Sequence, residues 1–396
     1  MDEPRLASSA EIARAAAAAR ESARLAIDTE FVSEGRYRPL LCLVQVAVDG
    51  RDSSDGPGIV LIDALDRTAP VAPIAELLAD SRIEVILHAG RQDVAILRRA
   101  WEADVTNIFD TQVAAGFAGQ SAQSGYANLI GAILGRRLAK TASYTRWDAR
   151  PLSTEQLRYA AEDVADLLHL TDELKRRLQH VGRLEWAVEE CRRLESSTDE
   201  RDPETVWLRL PRVSQLDPRS RAVARALAAW RERTAAREDR PVGSVLADQV
   251  VVEAARRRPS TPEELARIRG LHRSLLNRRS GGILAAVDRG LHDPPIPREH
   301  AQLRFEPADG PVISLAEAWL RARALEAGVA YELLSSRAEL EAVVAAARRG
   351  EPEPPVRPLT GWREQLIGSE LRSLVAGRAA VAVDGRLRLR LVEAPA

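Results

Sequence analysis

The sequence predicts an α/β domain, with a mixed sheet flanked by helices, followed by two smaller all-α domains. Short apolar runs of strand type alternate with helical patterns in the first half of the chain, whereas the second half is helical by pattern. Polar or Pro-rich stretches at residues 196–203 and 292–311 divide the 396 residues into three segments of ordinary domain size. We therefore expect domains at residues 1–205, 212–292 and 312–392.

Four apolar runs of the first domain predict strands, at residues 25–31, 41–48, 58–62 and 83–87. Residues 73–78 look helical, and another helix should follow the fourth strand because Val94, Leu97 and Trp101 recur at helical spacing. Three strands, a helix, and then a strand with a helix indicate a mixed sheet. The remaining pattern is helical, apart from a loop at residues 140–152, in three stretches: 107–194, 212–292 and 312–391.

The charge of the chain changes sign between its two halves. Residues 1–200 hold 24 Lys and Arg against 32 Asp and Glu, a net of −8, and residues 201–396 hold 33 against 26, a net of +7. This split suggests chemistry in one half and polyanion binding in the other, although solvated helices can also drift in charge. The sequence shows neither a run near the roughly 18 apolar residues of a membrane span nor a signal peptide, so we expect a cytoplasmic protein.

Two acids stand at the end of the first predicted strand. Asp28 and Glu30 are two residues apart, so their side chains share one face of that strand. Acids beside core residues are costly unless a cation neutralises them, and hard divalent cations prefer carboxylate oxygens. Asp93 follows the fourth strand at the start of a helix. The alternatives are solvation for the first two acids and a favourable helix dipole for Asp93. Asp110 is a further candidate acid that could instead cap a helix, and we take it as structural.

A tyrosine and a fourth acid occur together in the helical stretch. Tyr159 and Asp163 are four residues apart and share a helix face. Ala160 and Ala161 between them leave room for another element or a ligand to approach. The alternative is an amphipathic helix with a tyrosine packed at its edge.

In this order, the acids and the tyrosine resemble the DEDD exonuclease superfamily, in its Tyr-bearing subgroup. Further segments between about residues 20 and 195 are similar to the ribonuclease D family in order and spacing. These segments are Asp28-Thr-Glu-Phe, Leu43-Val-Gln45, His88-Ala-Gly-Arg-Gln-Asp93, Phe109-Asp-Thr, Leu138-Ala-Lys140, Trp147 and Arg150-Pro-Leu-Ser.

The resemblance implies a ribonuclease-H-like fold, two divalent metal ions (Mg²⁺ or Mn²⁺) and release of 5′-mononucleotides from an RNA 3′ end. It implies Asp28, Glu30, Asp93 and Asp163 as metal ligands, and Tyr159 as the residue that orients the attacking water. The chemistry is consistent, because four acids gathered in one site repel each other unless cations are present. The six histidines form no catalytic cluster, which argues against zinc-type or serine-type hydrolysis.

The expected substrate contacts are Thr29, Phe31, Gln45, His88, Lys140 and Arg150. Phe31 could stack on the terminal nucleotide, or it could belong to the core. Gln45 alternates with its apolar neighbours in the second strand, so it either faces the site or faces solvent. Lys140 and Arg150 lie in the loop before the Tyr helix and could contact phosphate, or they could be solvated.

Residues 215–291 are basic, with 16 Arg against 9 acids. Several of their segments resemble the HRDC domain, a helical module shared by helicases and the ribonuclease D family: Trp230-Arg231, Pro241-Val-Gly, Leu246-Ala-Asp248, Arg258-Pro-Ser-Thr-Pro-Glu-Glu-Leu265, Ile268-Arg-Gly270 and Ile283-Leu284. An aromatic residue that the family often has near 279–282 is missing. The expected phosphate contacts, unless they form a solvated face, are Arg256, Arg257, Arg258, Arg278 and Arg279. Residues 312–392 look like a second, degenerate HRDC module.

Three functions follow from these patterns. The first is an exoribonuclease that trims structured RNA and, by family analogy, the 3′ ends of tRNA precursors. We expect this enzyme to be a monomer that does not bind a membrane. The second is a DNA 3′→5′ exonuclease, because the acids do not encode the sugar. The third is a nucleic-acid-binding protein with an inactive nuclease domain, against which the intact set of acids and tyrosine argues.

Overall fold

A five-stranded mixed sheet forms the centre of the first of the three predicted domains. The computed structural model describes residues 3–50, 56–138, 146–297 and 306–394. The strands are β1 (Arg24–Val32), β2 (Leu40–Val48), β3 (Gly58–Asp63), β4 (Glu84–Leu87) and β5 (Ile108–Asp110). Their order is β3-β2-β1-β4-β5. Strand β2 runs antiparallel to β1 and β3, whereas β4 runs parallel to β1 and β5. The predicted mixed sheet is confirmed.

Helices cover both faces of this sheet. One core lies between the sheet and α1 (Ser9–Ser22), α2 (Ala72–Ala79) and α3 (Arg91–Trp101). The other face packs against α4 (Thr111–Phe117), α5 (Tyr126–Leu129), α6 (Thr154–Ala165), α7 (Leu167–His180) and α8 (Leu184–Cys191). Leu25 and Ile27 of β1 point into the first core and Ala26 into the second, as strand alternation requires. The acids that follow at positions 28 and 30 therefore share the α6 side.

Strand β5 corrects the prediction of a helix from residue 107. Only Ile108, Phe109 and Asp110 pair with β4, and all three are buried. A run this short shows no alternation, and a short apolar run cannot be assigned from periodicity alone. Because the residues that follow have a helical pattern, the sequence predicted a helix for the strand as well.

The predicted linker at residues 196–203 is fastened to the first domain. Arg98 donates to the backbone carbonyl of Glu195 at 2.7 Å and to that of Ser197 at 3.5 Å. Arg99 pairs with Asp199 at 2.7 Å. The connection to the second domain is therefore held against α3.

The second domain is helical, as predicted. It contains α9 (Pro218–Glu238), α10 (Val242–Val245), α11 (Asp248–Arg257), α12 (Pro262–Ala266) and α13 (Arg273–His292). Helices α9 and α13 approach closely where α13 carries glycine. A Cβ on Gly290 would lie 2.5 Å from the Cα of Val223, and one on Gly282 would lie 2.8 Å from Nε1 of Trp230. The stretch that lacks the family's aromatic residue thus makes room for Trp230.

The third domain begins as a repeat of the second and ends differently. Helices α14 (Asp309–Ala327), α15 (Tyr331–Leu334) and α16 (Arg337–Arg349) repeat the long, four-residue and intermediate helices α9 to α11. Both α11 and α16 end in Ala-Ala-Arg-Arg. Next comes α17 (Gly361–Arg363), which continues through a π-helical turn (Glu364–Gly368) into α18 (Ser369–Val375). The common order supports a duplicated module, which stays a proposal.

A β-hairpin closes the third domain, where a helix to residue 391 was predicted. Its strands are β6 (Ala379–Val383) and β7 (Leu389–Glu393). The carboxylate of Asp384 accepts the backbone N–H groups of Arg386 at 2.8 Å and Arg388 at 3.0 Å, which fixes the turn. A helix was predicted for β6 because the strand is rich in alanine, which favours helices. The turn and the pairing with β7 outweigh that preference.

The third domain docks on the first through a buried tryptophan and a buried arginine. The ring of Trp362 lies 4.8 Å from that of Phe117 and stacks at 5.3 Å on that of Trp186. Arg363 is fully buried and pairs with Glu190 at 2.8 Å. Burial of a charge is tolerated because the partner is close. These contacts support a packing role for this domain.

The second domain contacts the loop between β1 and β2. Arg36 pairs with Asp239 at 2.7 Å, and the hydroxyl of Tyr37 donates to Glu232 at 2.9 Å. Glu232 is buried in the second domain. The strand that carries the two acids therefore leads into the contact with the basic helical domain. Within the described part of the chain, every helix is too short or too polar to cross a membrane.

Two glycines of α13 test the close contact with α9. Gly290→Ala should lower the melting temperature, because the added Cβ meets the Val223 backbone at 2.5 Å. Gly281→Ala in the same helix should raise it, because a Cβ there meets nothing within 4 Å and alanine in a helix is favoured over glycine by roughly 1 kcal/mol. Thermal unfolding followed by circular dichroism measures both. Equal shifts for the two variants would contradict the packing.

Candidate active site

Strand β1 and helix α6 bring three of the predicted acids together. Asp28 and Glu30 lie on the sheet face that α6 crosses, and Asp163 projects from α6 toward them. One carboxylate oxygen from each of the three lies within 4.8 Å of the others. This distance suits shared coordination of one cation by carboxylate oxygens.

The fourth acid, Asp93, lies beside these three. It is the third residue of α3 and is 8% exposed. The hydroxyl of Thr29 donates a hydrogen bond to its carboxylate, and its charge acts on both Asp28 and Glu30. Thr29 is buried at 5% exposure and holds an acid of the site, and its contact with the nucleotide stays a prediction.

Asp110 fixes the turn from which Asp93 is presented. Its carboxylate accepts the backbone N–H groups of Ala89 at 3.2 Å and Gly90 at 2.8 Å, and it caps α4 by accepting from that of Gln112 at 2.8 Å. The turn is tight, because a Cβ on Gly90 would lie 2.7 Å from Leu87. The prediction of Asp110 as a helix cap is confirmed.

Burial raises the pKa of all four acids, and the charge of neighbouring acids adds to it. The pKa of Asp28 lies well above its usual range, that of Glu30 is raised to about 8, that of Asp163 to about 7 and that of Asp93 to about 6. No Lys, Arg or His lowers the pKa of any of the four within the described residues. The donor set therefore fits divalent cations, which would replace the protons.

Tyr159 lies one helical turn before Asp163 and hydrogen-bonds to it. Burial, together with the charges of the acids, raises the pKa of its phenol far above the ordinary value. The neutral hydroxyl suits positioning of a water better than proton abstraction. The ring of Trp147, which is buried, lies 6.1 Å from the Tyr159 ring and backs it.

Arg150 has a structural role in place of the predicted phosphate contact. Its guanidinium pairs with Asp63 through Nε at 2.7 Å and Nη2 at 2.5 Å. It also donates to the carbonyls of Cys42 at 2.9 Å and Trp147 at 2.8 Å. These bonds fasten the loop before α6 to β2 and β3. Lys140 lies outside the described residues.

The other predicted substrate contacts among the described residues are all at least half-buried. Phe31 is half-buried and packs against the core on the α1 side of the sheet. Gln45 is 0% exposed and pairs in register with Asp28. The ring of His88 is half-buried, with Nδ1 lying 2.9 Å from Oγ1 of Thr111, and burial lowers its pKa. Contact of Phe31 or His88 with a nucleotide stays a prediction.

Tyr126 belongs to the site, although the sequence offered no signal for it. Its hydroxyl accepts the backbone N–H of Asp166 at 3.1 Å, and its ring lies 5.6 Å from that of His88. Burial raises its pKa, and Asp163 and Asp28 add to the effect. Its neighbours in the chain have no distinctive spacing, so only the fold brings it to the acids.

Three of the predicted phosphate contacts in the second domain are on its surface. Arg256 and Arg257 are about half-exposed and share Glu253 as partner, at 3.0 Å and 2.5 Å. Arg278 is exposed on α13. Exposed arginines whose partners are solvated remain able to exchange them for phosphate.

The other two arginines pair with acids of the second domain, and of the two only Arg279 is buried. Arg279 is 6% exposed and pairs with Glu238 at 2.7 Å. Arg258 pairs with Asp217 at 2.8 Å. Arg279 is therefore corrected from a phosphate contact to a structural residue, because a buried bidentate pair is unavailable to RNA.

Comparison with known proteins shows which family the chain belongs to. A 3′-5′ exonuclease family model matches residues 6–179, and an HRDC domain model matches residues 220–287. The ribonuclease D of Gluconacetobacter diazotrophicus is 38% identical over 366 residues, which cover 91% of this chain and 90% of the relative. That of Granulibacter bethesdensis is 37% identical over 369 residues, which cover 91% and 89%.

The crystal structure of Escherichia coli RNase D extends this likeness to the whole architecture. It superposes with a TM-score of 0.82 at 28% identity, and the match covers 95% of this chain and 99% of that chain. The likeness thus includes the helical domains as well as the sheet. The chain belongs to the ribonuclease D family, with a 3′→5′ exonuclease domain followed by an HRDC domain.

Proposed function

We propose that this protein shortens RNA from the 3′ end and releases 5′-mononucleotides, with two divalent ions, Mg²⁺ or Mn²⁺, as cofactors. The observation that carries the proposal is the cluster of Asp28, Glu30 and Asp163, whose ligand oxygens lie within 4.8 Å. The relatives bear the name ribonuclease D, and the Escherichia coli protein is described as an exoribonuclease involved in structured RNA processing. We extend this substrate class to tRNA precursors, and we propose a monomer that acts in the cytoplasm.

The residues divide into two groups for the two ions. Asp28, Glu30 and Asp163 would hold the first ion, and Asp28 with Asp93 would hold the second. When bound, such a pair of ions provides hydroxide at neutral pH and stabilises the leaving oxygen of an in-line phosphoryl displacement. Thr29 keeps the Asp93 carboxylate in place.

The remaining work falls to residues of the chain itself. Tyr159 would orient the attacking water from its position beside Asp163. Phe31, at the end of β1, would contact the terminal base with its exposed part. Trp147 keeps the Tyr159 ring from turning away.

The helical domains would hold the body of the RNA. Arg256, Arg257 and Arg278 would contact phosphates without reading bases. We propose residues 1–205, 212–292 and 312–392 as the three domains, with the third a degenerate HRDC module that packs on the first.

Asp163→Asn should abolish Mg²⁺-dependent shortening of a 3′-tailed RNA, because a neutral amide replaces one carboxylate of the cluster. Binding of the RNA should remain. The measurement is product analysis on a denaturing gel, with RNA and DNA of the same sequence run in parallel.

The control is Glu162→Gln, which removes the neighbouring charge of α6 outside the cluster and should keep activity. Undiminished cleavage by Asp163→Asn would refute the site assignment. Faster digestion of DNA would favour a DNA exonuclease. Absence of divalent-ion binding by the unaltered protein would favour an inactive nucleic-acid-binding protein.

Tyr159→Phe should lower kcat by roughly 10- to 100-fold with little change in KM, because only the positioning hydroxyl is lost. The Tyr126→Phe variant serves as a matched control, since it removes a hydroxyl that accepts from the Asp166 backbone. Steady-state kinetics on a short RNA measures both. A larger loss for Tyr126→Phe than for Tyr159→Phe would contradict the assigned role.

The raised pKa values predict that protons compete with the metal. The pKa of Asp163 is raised to about 7 and that of Glu30 to about 8, so the half-saturating Mn²⁺ concentration should fall as pH rises from about 6 to 8. Without metal, these acids hold more protons folded than unfolded. The free energy of unfolding in chelator should therefore decrease as pH rises through the same window.

Calorimetric titration with Mn²⁺ and thermal unfolding in chelator measure these two trends. Asp163→Asn should weaken the pH dependence of the free energy of unfolding in chelator, because one of the titrating acids is gone. A free energy of unfolding that increases with pH in chelator over this range would contradict the raised pKa values.

A further inference from the structure

Gln45 lies in β2 beneath helix α6, on the face of the sheet that carries Asp28 and Glu30. It is the cross-strand partner of Asp28 in β1 and of Leu61 in β3. Side chains of directly paired residues share a face, and their Cβ atoms lie about 4.5–5.5 Å apart. Leu61, together with Leu43 of β2, packs against Ala160 of α6. The amide of Gln45 is therefore placed between Asp28 and the underside of α6.

Both polar atoms of the Gln45 side chain are buried and unpartnered. The residue is 0% exposed, and neither Oε1 nor Nε2 has a hydrogen-bond partner among the described residues. A buried amide without hydrogen-bond partners destabilises the folded protein, because it has lost its bonds to water. Its neighbours Val44 and Val46 show that this strand is otherwise apolar. A polar residue in such a place calls for a role in the bound state of the site.

We propose that Gln45 is a positioning residue that orients the Asp28 carboxylate for metal binding. The inference rests on the proposed function. Gln45 is too enclosed to touch a nucleotide, whereas Asp28 is its direct cross-strand neighbour. An N–H of the amide would donate to a carboxylate oxygen of Asp28. Hydrogen bonds of this kind fix the orientation of ligand carboxylates and raise metal affinity.

The test is Gln45→Met, which keeps an unbranched side chain of similar length and removes the amide. In chelator, the melting temperature should stay the same or rise, because an unsatisfied polar group is gone. Mn²⁺ affinity measured by calorimetry should fall roughly 10- to 100-fold. The rise in melting temperature on addition of Mn²⁺ should shrink, and kcat should fall at fixed Mn²⁺ while KM for RNA stays unchanged.

Thr171→Val is the matched control. Thr171 on α7 is also 0% exposed and its hydroxyl oxygen also lacks a partner among the described residues, but it does not belong to the acid cluster. Its replacement should alter stability in chelator and leave Mn²⁺ affinity unchanged. Gln45→Leu provides a second apolar replacement in case methionine packs poorly. The same changes in Mn²⁺ affinity and kcat are expected for it.

The outcomes separate this inference from the proposed function. If the unaltered protein binds Mn²⁺ and cleaves RNA, and both Gln45 variants match it in Mn²⁺ affinity and kcat, the role of Gln45 is overturned alone. The same holds if the Gln45 and Thr171 variants lose affinity equally. If the unaltered protein neither binds Mn²⁺ nor cleaves, both proposals fall.

Discussion

Burial of four carboxylates in one site is the constraint on which the rest of the first domain depends. Asp28, Glu30, Asp93 and Asp163 all carry a raised pKa, chiefly because burial disfavours their ionised forms, and the charges of neighbouring acids add to the effect. Such a cluster opposes folding unless protons or cations are bound. The scaffold must therefore hold the acids together at a cost and offer compensation elsewhere.

That compensation comes from polar contacts that rigidify each supporting element. Helix α6 starts with a reciprocal cap between Ser153 and Gln156, which fixes where Asp163 stands. Asp110 binds the turn before α3, and Arg150 binds the loop before α6. Because each of these groups is saturated by protein partners, none is available for substrate. Rigidity around the cluster and availability for RNA are thus separate tasks, carried by different residues.

Local periodicity was enough to place Asp28 with Glu30, and Tyr159 with Asp163, because strand and helix periods are properties of neighbouring residues. The crossing of α6 over β1 joins residues that are far apart in the chain, so periodicity cannot predict it. Only the family resemblance suggested it. The side chain of an arginine carries no sign of its partner, which for Arg150 lies 87 residues away. The role of Arg150 was therefore misjudged. Strand β5 is short, and the final hairpin is rich in helix-forming alanine, so periodicity missed both.

The contrast between an acidic and a basic half takes on a different meaning once partners are known. The acidic half contains the cluster of acids, where cations fit. Arg279 and Arg258 pair with acids of their own domain, so not every arginine of the second domain is open to a polyanion. What the second domain offers to a polyanion is thus a small set of surface arginines. Its contact with the loop after β1, through Arg36 and Tyr37, joins that surface to the catalytic strand. A bound RNA held by the second domain would consequently be positioned relative to the strand that carries Asp28.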